Sequence, residues 1–298
     1  MDRINLGAAV IHRVEEWSGR FLTPQTLFTG FTDADYAASK DLVAGPYLDA
    51  DTDAIVARLQ TWIVEIEGLR VLIDTGAGND KQRPGIPVFG NLNTPFLERL
   101  AAAGFSPDDI DLVVCTHLHV DHVGWNTRLE AGDWIPTFPK ARYVFPQPDA
   151  EYWDPRNLAR FPHKIGEAVN AGFFDDSVRP ILDRGLADLV SGAAEIAPGV
   201  RLEPAPGHTP GSQTITVTSR GERAVFVGDV MHHPLQIMNP HWNSIFCEDG
   251  ARARESRQRV LERVVEEEAL LIPAHFAGEH MVRVVRTSSG LRPAPPLR

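Results

Sequence analysis

A chain of 298 residues with a formal net charge of −11 and only two cysteines can bury a large core, is not organised by disulfides and repels polyanions. Its densest basic run, Arg252, Arg254, Arg257, Arg259 and Arg263, is followed at once by Glu266, Glu267 and Glu268, so it reads as the solvated face of a helix and no nucleic-acid partner is expected. Without an apolar run of about 18 residues or a basic-then-apolar start, neither a membrane span nor a secretory signal is expected, and a cytoplasmic setting suits free Cys115 and Cys247.

The first sixty residues are a mixed stretch rich in Thr, Asp, Phe and Pro, with an early strand expected from Ala8 to Val14. Thr61–Ile66 and Arg70–Ile73 read as strands joined by a Glu67-Gly68 turn, which makes a hairpin. A helix should follow, with Thr94 as N-cap, Pro95 in its first turn and Gly104 just past its end. Asp111–Cys115 is a short apolar run typical of a buried strand, 142–146 is another, and 148–185 reads as mainly helical with Pro breaks. The second half repeats the alternation: strands at 200–203, 213–218 and 223–227, a helix at about 253–267 and a strand at 269–272. Strands alternating with helices throughout indicate an α/β layered architecture in a single domain over 1–298. Residues 1–60 would form an N-terminal extension and substrate-side loops, and 285–298, with Pro293, Pro295 and Pro296, an extended tail.

The densest chemical signal is Thr116-His117-Leu118-His119-Val120-Asp121-His122, placed directly after the strand 111–115. Three imidazoles and a carboxylate in so short a stretch would crowd an apolar core without a partner, and a metal ion resolves the conflict. Ligand sites in such sheets favour the carboxyl ends of strands. Three further segments repeat the device: Pro206-Gly207-His208-Thr209-Pro210-Gly211, Val225-Phe226-Val227-Gly228-Asp229, and Leu271-Ile272-Pro273-Ala274-His275. Each alone could be a cap or a satisfied surface group, but recurrence at one topological position favours a shared site.

The set His117-x-His119-x-Asp121-His122, then His208, Asp229 and His275, resembles the metallo-β-lactamase superfamily, from roughly residue 60 to 280. Leu72-Ile73-Asp74-Thr75-Gly76 is similar to that family's early strand-to-loop motif. The resemblance implies a four-layer αβ/βα sandwich of two facing mixed sheets with outer helices, and two divalent ions, zinc first with manganese, iron or cobalt as alternatives. His117, His119 and His208 would hold one ion; Asp121, His122 and His275 would hold the other; Asp229 would bridge them. Asp74 would orient a ligand imidazole, or simply form the turn before Thr75-Gly76, with Thr116 beside it. Every hydrolase ligand is kept, which favours the dinuclear branch of lactonases, aryl-ester and organophosphate hydrolases, thioesterases and phosphodiesterases. N-acyl homoserine lactonases carry a Tyr three residues after the bridging Asp; here His232 stands there, as in the methyl-parathion-hydrolase-like group.

The implied reaction is attack by a hydroxide shared between the ions on a small, largely uncharged ester or lactone, with Asp121 and His232 as the catalytic side chains. His232 could hydrogen-bond the leaving oxygen or shuttle a proton, or only pack a loop. Trp125, Trp242, Phe246, Phe28 and Phe31 could form an apolar pocket wall. Cys115 reads as a packing residue. A phosphotriester hydrolase, a thioesterase and a catalytically silent metal-binding fold are the alternatives. The expected partner is a small-molecule substrate, and the N-terminal stretch could pack across a homodimer.

Overall fold

In the computed structural model, which describes residues 2–43, 45–163 and 169–296, two mixed sheets face each other with helices on their outer sides. The first sheet runs in the order β1 (Arg3–Leu6), β2 (Ala9–Arg20), β3 (Val56–Ile66), β4 (Leu69–Ile73), β5 (Leu112–Val114), β6 (Arg142–Pro146) and β7 (Ala187–Val190). Its first four strands are antiparallel neighbours and the rest pair in parallel. The second sheet is β8 (Ala194–Ala197), β9 (Val200–Pro204), β10 (Gln213–Ser219), β11 (Glu222–Gly228) and β12 (Leu270–Pro273), antiparallel except for the β11–β12 pair.

Period-2 alternation explains the layering, because successive strand side chains point to opposite faces. Trp62, Val64, Val71, Ile73 and Val114 of the first sheet meet Ile215, Val217, Phe226 and Ile272 of the second in the central core. Ile63, Leu72, Val113, Tyr143 and Phe145 point the other way, towards Phe96 and Leu100 of helix α1 (Phe96–Ala102) and Trp153 of helix α2 (Gln147–Trp153). On the far side, Val225, Val227 and Leu271 pack on Val260, Leu261 and Val264 of helix α3 (Gly250–Glu266). Strands buried on both faces read as continuous apolar runs, which is why 111–115 and 223–227 were legible without alternation.

Several boundaries differ from the sequence expectation, for local reasons. β2 continues past Val14 to Arg20 because a bulge between Glu15 and Trp17 absorbs Glu16 and turns it inward. The Glu67-Gly68 turn is as expected, with both residues left-handed at φ 49° and 79°. Thr94 does not cap α1: its N–H and hydroxyl both donate to Asn79 Oδ1, and Pro95 takes the N-cap position. α3 starts at Gly250, earlier than expected, since the Asp249 carboxylate accepts from the N–H groups of Ala251 and Arg252. In the stretch 148–185 the described residues form α2, a 3₁₀ turn at Pro155–Asn157, a π turn at Phe174–Val178 and a short helix at Arg179–Asp183; 164–168 lie outside the described residues. The described part of the tail is not loose: Arg283–Thr287 and Gly290–Ala294 form a hairpin, anchored where Val284 joins the core beside α3. β1 and β2 belong to the first sheet, so only part of the first sixty residues lies over the site.

Arg257 of α3 is fully buried. Its Nε donates to the Val230 carbonyl and its Nη1 to the carbonyls of Pro240 and Trp242, which ties the loop after β11 to the helix. Arg257→Met should lower unfolding stability by roughly 2–4 kcal/mol, because the buried Val230 carbonyl and the half-buried Pro240 carbonyl lose their donors and the Trp242 carbonyl keeps only Gln236. Urea denaturation monitored by tryptophan fluorescence would measure it; an unchanged midpoint would show that the loop holds itself.

Candidate metal centre

Every side chain of the candidate site leaves the fold at the carboxyl end of a strand or in the turn that follows it. Asp74 follows β4, residues 116–122 follow β5, His208 lies in the turn after β9, Asp229 follows β11 and His275 follows β12. Both sheets therefore contribute to one edge of the sandwich. Asp74 sits at φ 53° and Gly76 at φ 58°, a left-handed path that turns the chain under the next loop.

Two groups result. Ligand atoms of His117, His119, His208 and Asp229 lie within 4.8 Å of one another, and so do those of Asp121, His122 and His275. Asp229 faces both. Its Oδ2 is 3.2 Å from His208 Nε2 and 3.9 Å from His117 Nε2, while its Oδ1 is 3.0 Å from His275 Nε2 and 3.3 Å from His122 Nε2. Asp121 completes the second group, with its carboxylate 3.6 Å from His275 Nε2 and 3.8 Å from His122 Nε2.

The opposite ring nitrogens are occupied, which fixes how each imidazole faces. His117 Nδ1 meets Thr116 Oγ1 at 3.1 Å, His122 Nδ1 meets Asp74 Oδ2 at 3.0 Å, and His275 Nδ1 meets the Arg58 carbonyl at 2.9 Å. Asp74 also accepts from the Thr116 N–H and hydroxyl. By contrast, His117 Nε2 and His119 Nε2 are buried without a hydrogen-bond partner among the described residues. Buried polar atoms are rarely left so, and neutral imidazole with carboxylate is a donor set for zinc and similar ions. The residues fit a pair of divalent cations.

The charges agree. Burial, reinforced by the neighbouring imidazoles, holds His117 and His119 neutral, well below the ordinary histidine range. Burial also favours neutral His208, but its hydrogen bond and charge pairing with Asp229 outweigh this and lift it to about 9. Burial alone would raise the Asp229 carboxyl; His275, His232 and His122 around it keep it well below the usual carboxylate range. It is a buried anion that needs cations beside it.

Above the two groups opens a cavity. Its floor includes His119, Asp121, His208, Asp229, His232 and His275, and its walls include Phe21, Leu59, Ile86, Phe89 and Phe246. Of the aromatic residues singled out in the sequence, Phe246 alone lines it. Phe28, Phe31 and Trp242 pack together behind the wall. Trp125 stacks on Phe96 and donates its indole N–H to Glu16. Phe21, Ile86 and Phe89 escaped sequence reading because nothing in an isolated apolar loop residue says which cavity it borders. His232 sits on the floor with Nε2 3.1 Å from Asp229 Oδ2, whereas His233 packs against Tyr47. Cys115 is buried in the core as expected. Cys247, which has no histidine neighbour in sequence, has its thiol 3.9 Å from His208 Nδ1.

A family model described as the metallo-beta-lactamase superfamily matches residues 60–275. An N-acyl homoserine lactonase of a Bacillus species is 25% identical over 229 residues, covering 72% of this chain and 79% of that relative. Among solved structures, the hydrolase AbOPH of the beta-lactamase superfamily superposes with a TM-score of 0.83 at 22% identity, over 99% of this chain and 97% of its own. AidC, a dizinc quorum-quenching lactonase, superposes with a TM-score of 0.79 at 19% identity, again over 99% and 97%. At these identities the two superpositions speak for the fold alone.

Loading with zinc should raise the thermal midpoint by roughly 5–10 °C over chelator-treated protein, since an ion that binds only the folded chain stabilises it. Asp229→Ala should lose most of that response. Calorimetry with and without zinc decides; midpoints indifferent to zinc in the unaltered protein would refute the centre.

Proposed function

We propose that this chain, which belongs to the metallo-β-lactamase superfamily, hydrolyses a small, largely uncharged ester or lactone. The observation that carries this is the pairing of a complete two-ion ligand set with a cavity whose lining, among the described residues, contains neither lysine nor arginine. A polyanionic or thiol-peptide substrate would need a cationic clamp, and these apolar walls reward alkyl or aryl groups instead. The Bacillus relative, a lactonase, points to the same class.

When bound, a pair of divalent ions supplies a nucleophilic water at neutral pH and polarises the attacked carbonyl. The chain's residues do the rest. Asp229 keeps the two ligand groups at one fixed spacing. Asp121, on the cavity floor beside His275 and His122, is positioned to take up the proton of the attacking water. The phenyl walls of Phe21, Phe89 and Phe246 hold the apolar part of the substrate and exclude bulk water.

His232 faces the same floor; its Nδ1 has no hydrogen-bond partner among the described residues, and its Nε2 lies 3.1 Å from Asp229 Oδ2 without the geometry of a hydrogen bond. Burial holds its imidazole down at about 4, so at neutral pH it is a neutral ring with one N–H to give. We assign it the departing oxygen. His232→Phe should then reduce kcat by roughly 100-fold for alkyl esters and lactones, whose alkoxide leaves poorly. It should cost far less for nitrophenyl esters, whose leaving group needs no help. Equal losses on both would remove His232 from this role.

Zinc-loaded protein should hydrolyse alkyl-substituted lactones and aryl esters, lose activity with a chelator and regain it with zinc. Matched carboxylate-bearing esters should react at least about tenfold more slowly, the anion finding no partner in an apolar wall. A phosphotriester hydrolase is the second reading, favoured by His232 standing where related lactonases have Tyr; paraoxon-like triesters turned over faster than aryl esters of the same phenol would establish it. No turnover of any ester, lactone or triester by protein with both ions bound would refute both.

A further inference from the structure

Two buried carboxylates outside the ligand set occupy matching positions in the structure. Glu16 lies at the bulge of β2, and Asp149 in the first turn of α2. Neither belongs to a ligand group, and among the described residues neither has a lysine, arginine or histidine as a hydrogen-bond partner. Glu16 accepts from two backbone N–H groups of the loop that carries Asp74 and from the Trp125 indole beside the ligand motif, and Asp149 accepts from two backbone N–H groups and a hydroxyl of the loops that carry ligands.

Glu16 Oε2 accepts from Ala77 N–H at 2.7 Å, and its Oε1 accepts from Gly78 N–H at 2.9 Å and Trp125 Nε1 at 2.6 Å. It therefore clamps the loop 74–78 to the segment 122–125. The two are stitched further by Thr75 N–H to the His122 carbonyl, Gly124 N–H to the Gly76 carbonyl and Trp125 N–H to the Thr75 carbonyl. Asp74 and His122, which bond to each other, sit on these two segments. Arg99 holds the bulge in place by donating to the carbonyls of Glu15 and Glu16.

Asp149 does the same on the other side. Its Oδ2 accepts from Leu118 N–H at 2.9 Å and Thr209 Oγ1 at 2.8 Å, and its Oδ1 accepts from Gly211 N–H at 2.6 Å. Leu118 lies between His117 and His119, and Thr209 follows His208. The loops it joins thus bear all three imidazoles of the first group.

Both clamps depend on a glycine to admit the carboxylate. A Cβ at Gly76 would lie 2.0 Å from Glu16 Oε2, and one at Gly211 would lie 2.7 Å from Asp149 Oδ1. Burying a carboxylate against neutral donors is costly: burial pushes Glu16 up to about 7 and Asp149 up to about 6, against their hydrogen bonds. A packing role alone would be met more cheaply by an apolar side chain.

We infer that each ion site has its own positioning carboxylate: Glu16 sets the loops of the Asp121–His122–His275 site, and Asp149 those of the His117–His119–His208 site. This rests on the two-ion reading above but not on the reaction. Glutamine or asparagine keeps the shape but turns an amide NH₂ towards a backbone N–H, which breaks one clamp and leaves the other intact.

The test is stepwise zinc binding to Glu16→Gln and Asp149→Asn, by competition with a chelator. Histidine ring ¹⁵N resonances identify which imidazoles each ion engages. Glu16→Gln should weaken the ion held by His122 and His275 by about 10–100-fold and leave the other within about threefold. Asp149→Asn should do the converse. Should either variant fail to fold, Trp125→Phe and Thr209→Val remove one donor from each clamp and should show the same selectivity at smaller size. Both ions weakening together in every variant, or no change in either, would overturn the assignment. So would the absence of zinc binding in the unaltered protein. Binding with the expected selectivity but no hydrolysis would uphold it and end the ester-hydrolase reading instead.

Discussion

The carboxylate of Asp229 is the constraint on which the site depends. It is buried at the junction of the two sheets with one oxygen towards His208 and His117 and the other towards His275 and His122. A charge in that position is tolerated only with compensating charge on both sides. Imidazoles supply part of it in the protein alone, and the unpartnered nitrogens of His117 and His119 show where cations would supply the rest. The separation of the two groups follows from the placement of that one side chain, while the outer hydrogen bonds to Thr116, Asp74 and the Arg58 carbonyl set the direction of the rings.

The architecture explains how seven ligands scattered over the chain meet. Two sheets packed face to face through Trp62, Val71, Phe226 and Ile272 hold their strand ends at a common edge. Parallel pairing of β4 with β5, and of β11 with β12, sends successive strands out at the same end. The loops there bury Ala77, Leu118, Val123 and Trp125 in the core and are tied by hydrogen bonds to Asp74, Glu16 and Asp149. A rigid apolar sandwich with its reactive groups confined to one rim allows the cavity above to be built from unrelated loops, at Phe21, Ile86, Phe89 and Phe246.

What could be read from the sequence alone follows from locality. The motif 116–122 is dense enough to be recognised within one loop, Asp229 and His275 announce themselves by following apolar runs, and His208 by its Gly/Pro-braced turn. The strands with both faces buried were equally plain. Glu16 was not legible, because Glu15-Glu16-Trp17 looks like an ordinary strand end; the bulge that turns Glu16 inward is a property of its pairing with β3. Asp149 looks like a helix first-turn acid, and its partners lie 31 to 62 residues away. Trp125 adjoins the metal motif yet faces Glu16 and Phe96, since nearness in sequence does not fix the direction of a side chain on a turn. The C-terminal hairpin was hidden by its prolines, which an edge strand tolerates.

The most direct measurement is diffraction from zinc-loaded crystals at energies on either side of the zinc absorption edge. The account predicts two anomalous peaks about 3.5–4 Å apart, one on each side of the Asp229 carboxylate. A single peak, or peaks that leave Asp229 uncoordinated, would contradict it.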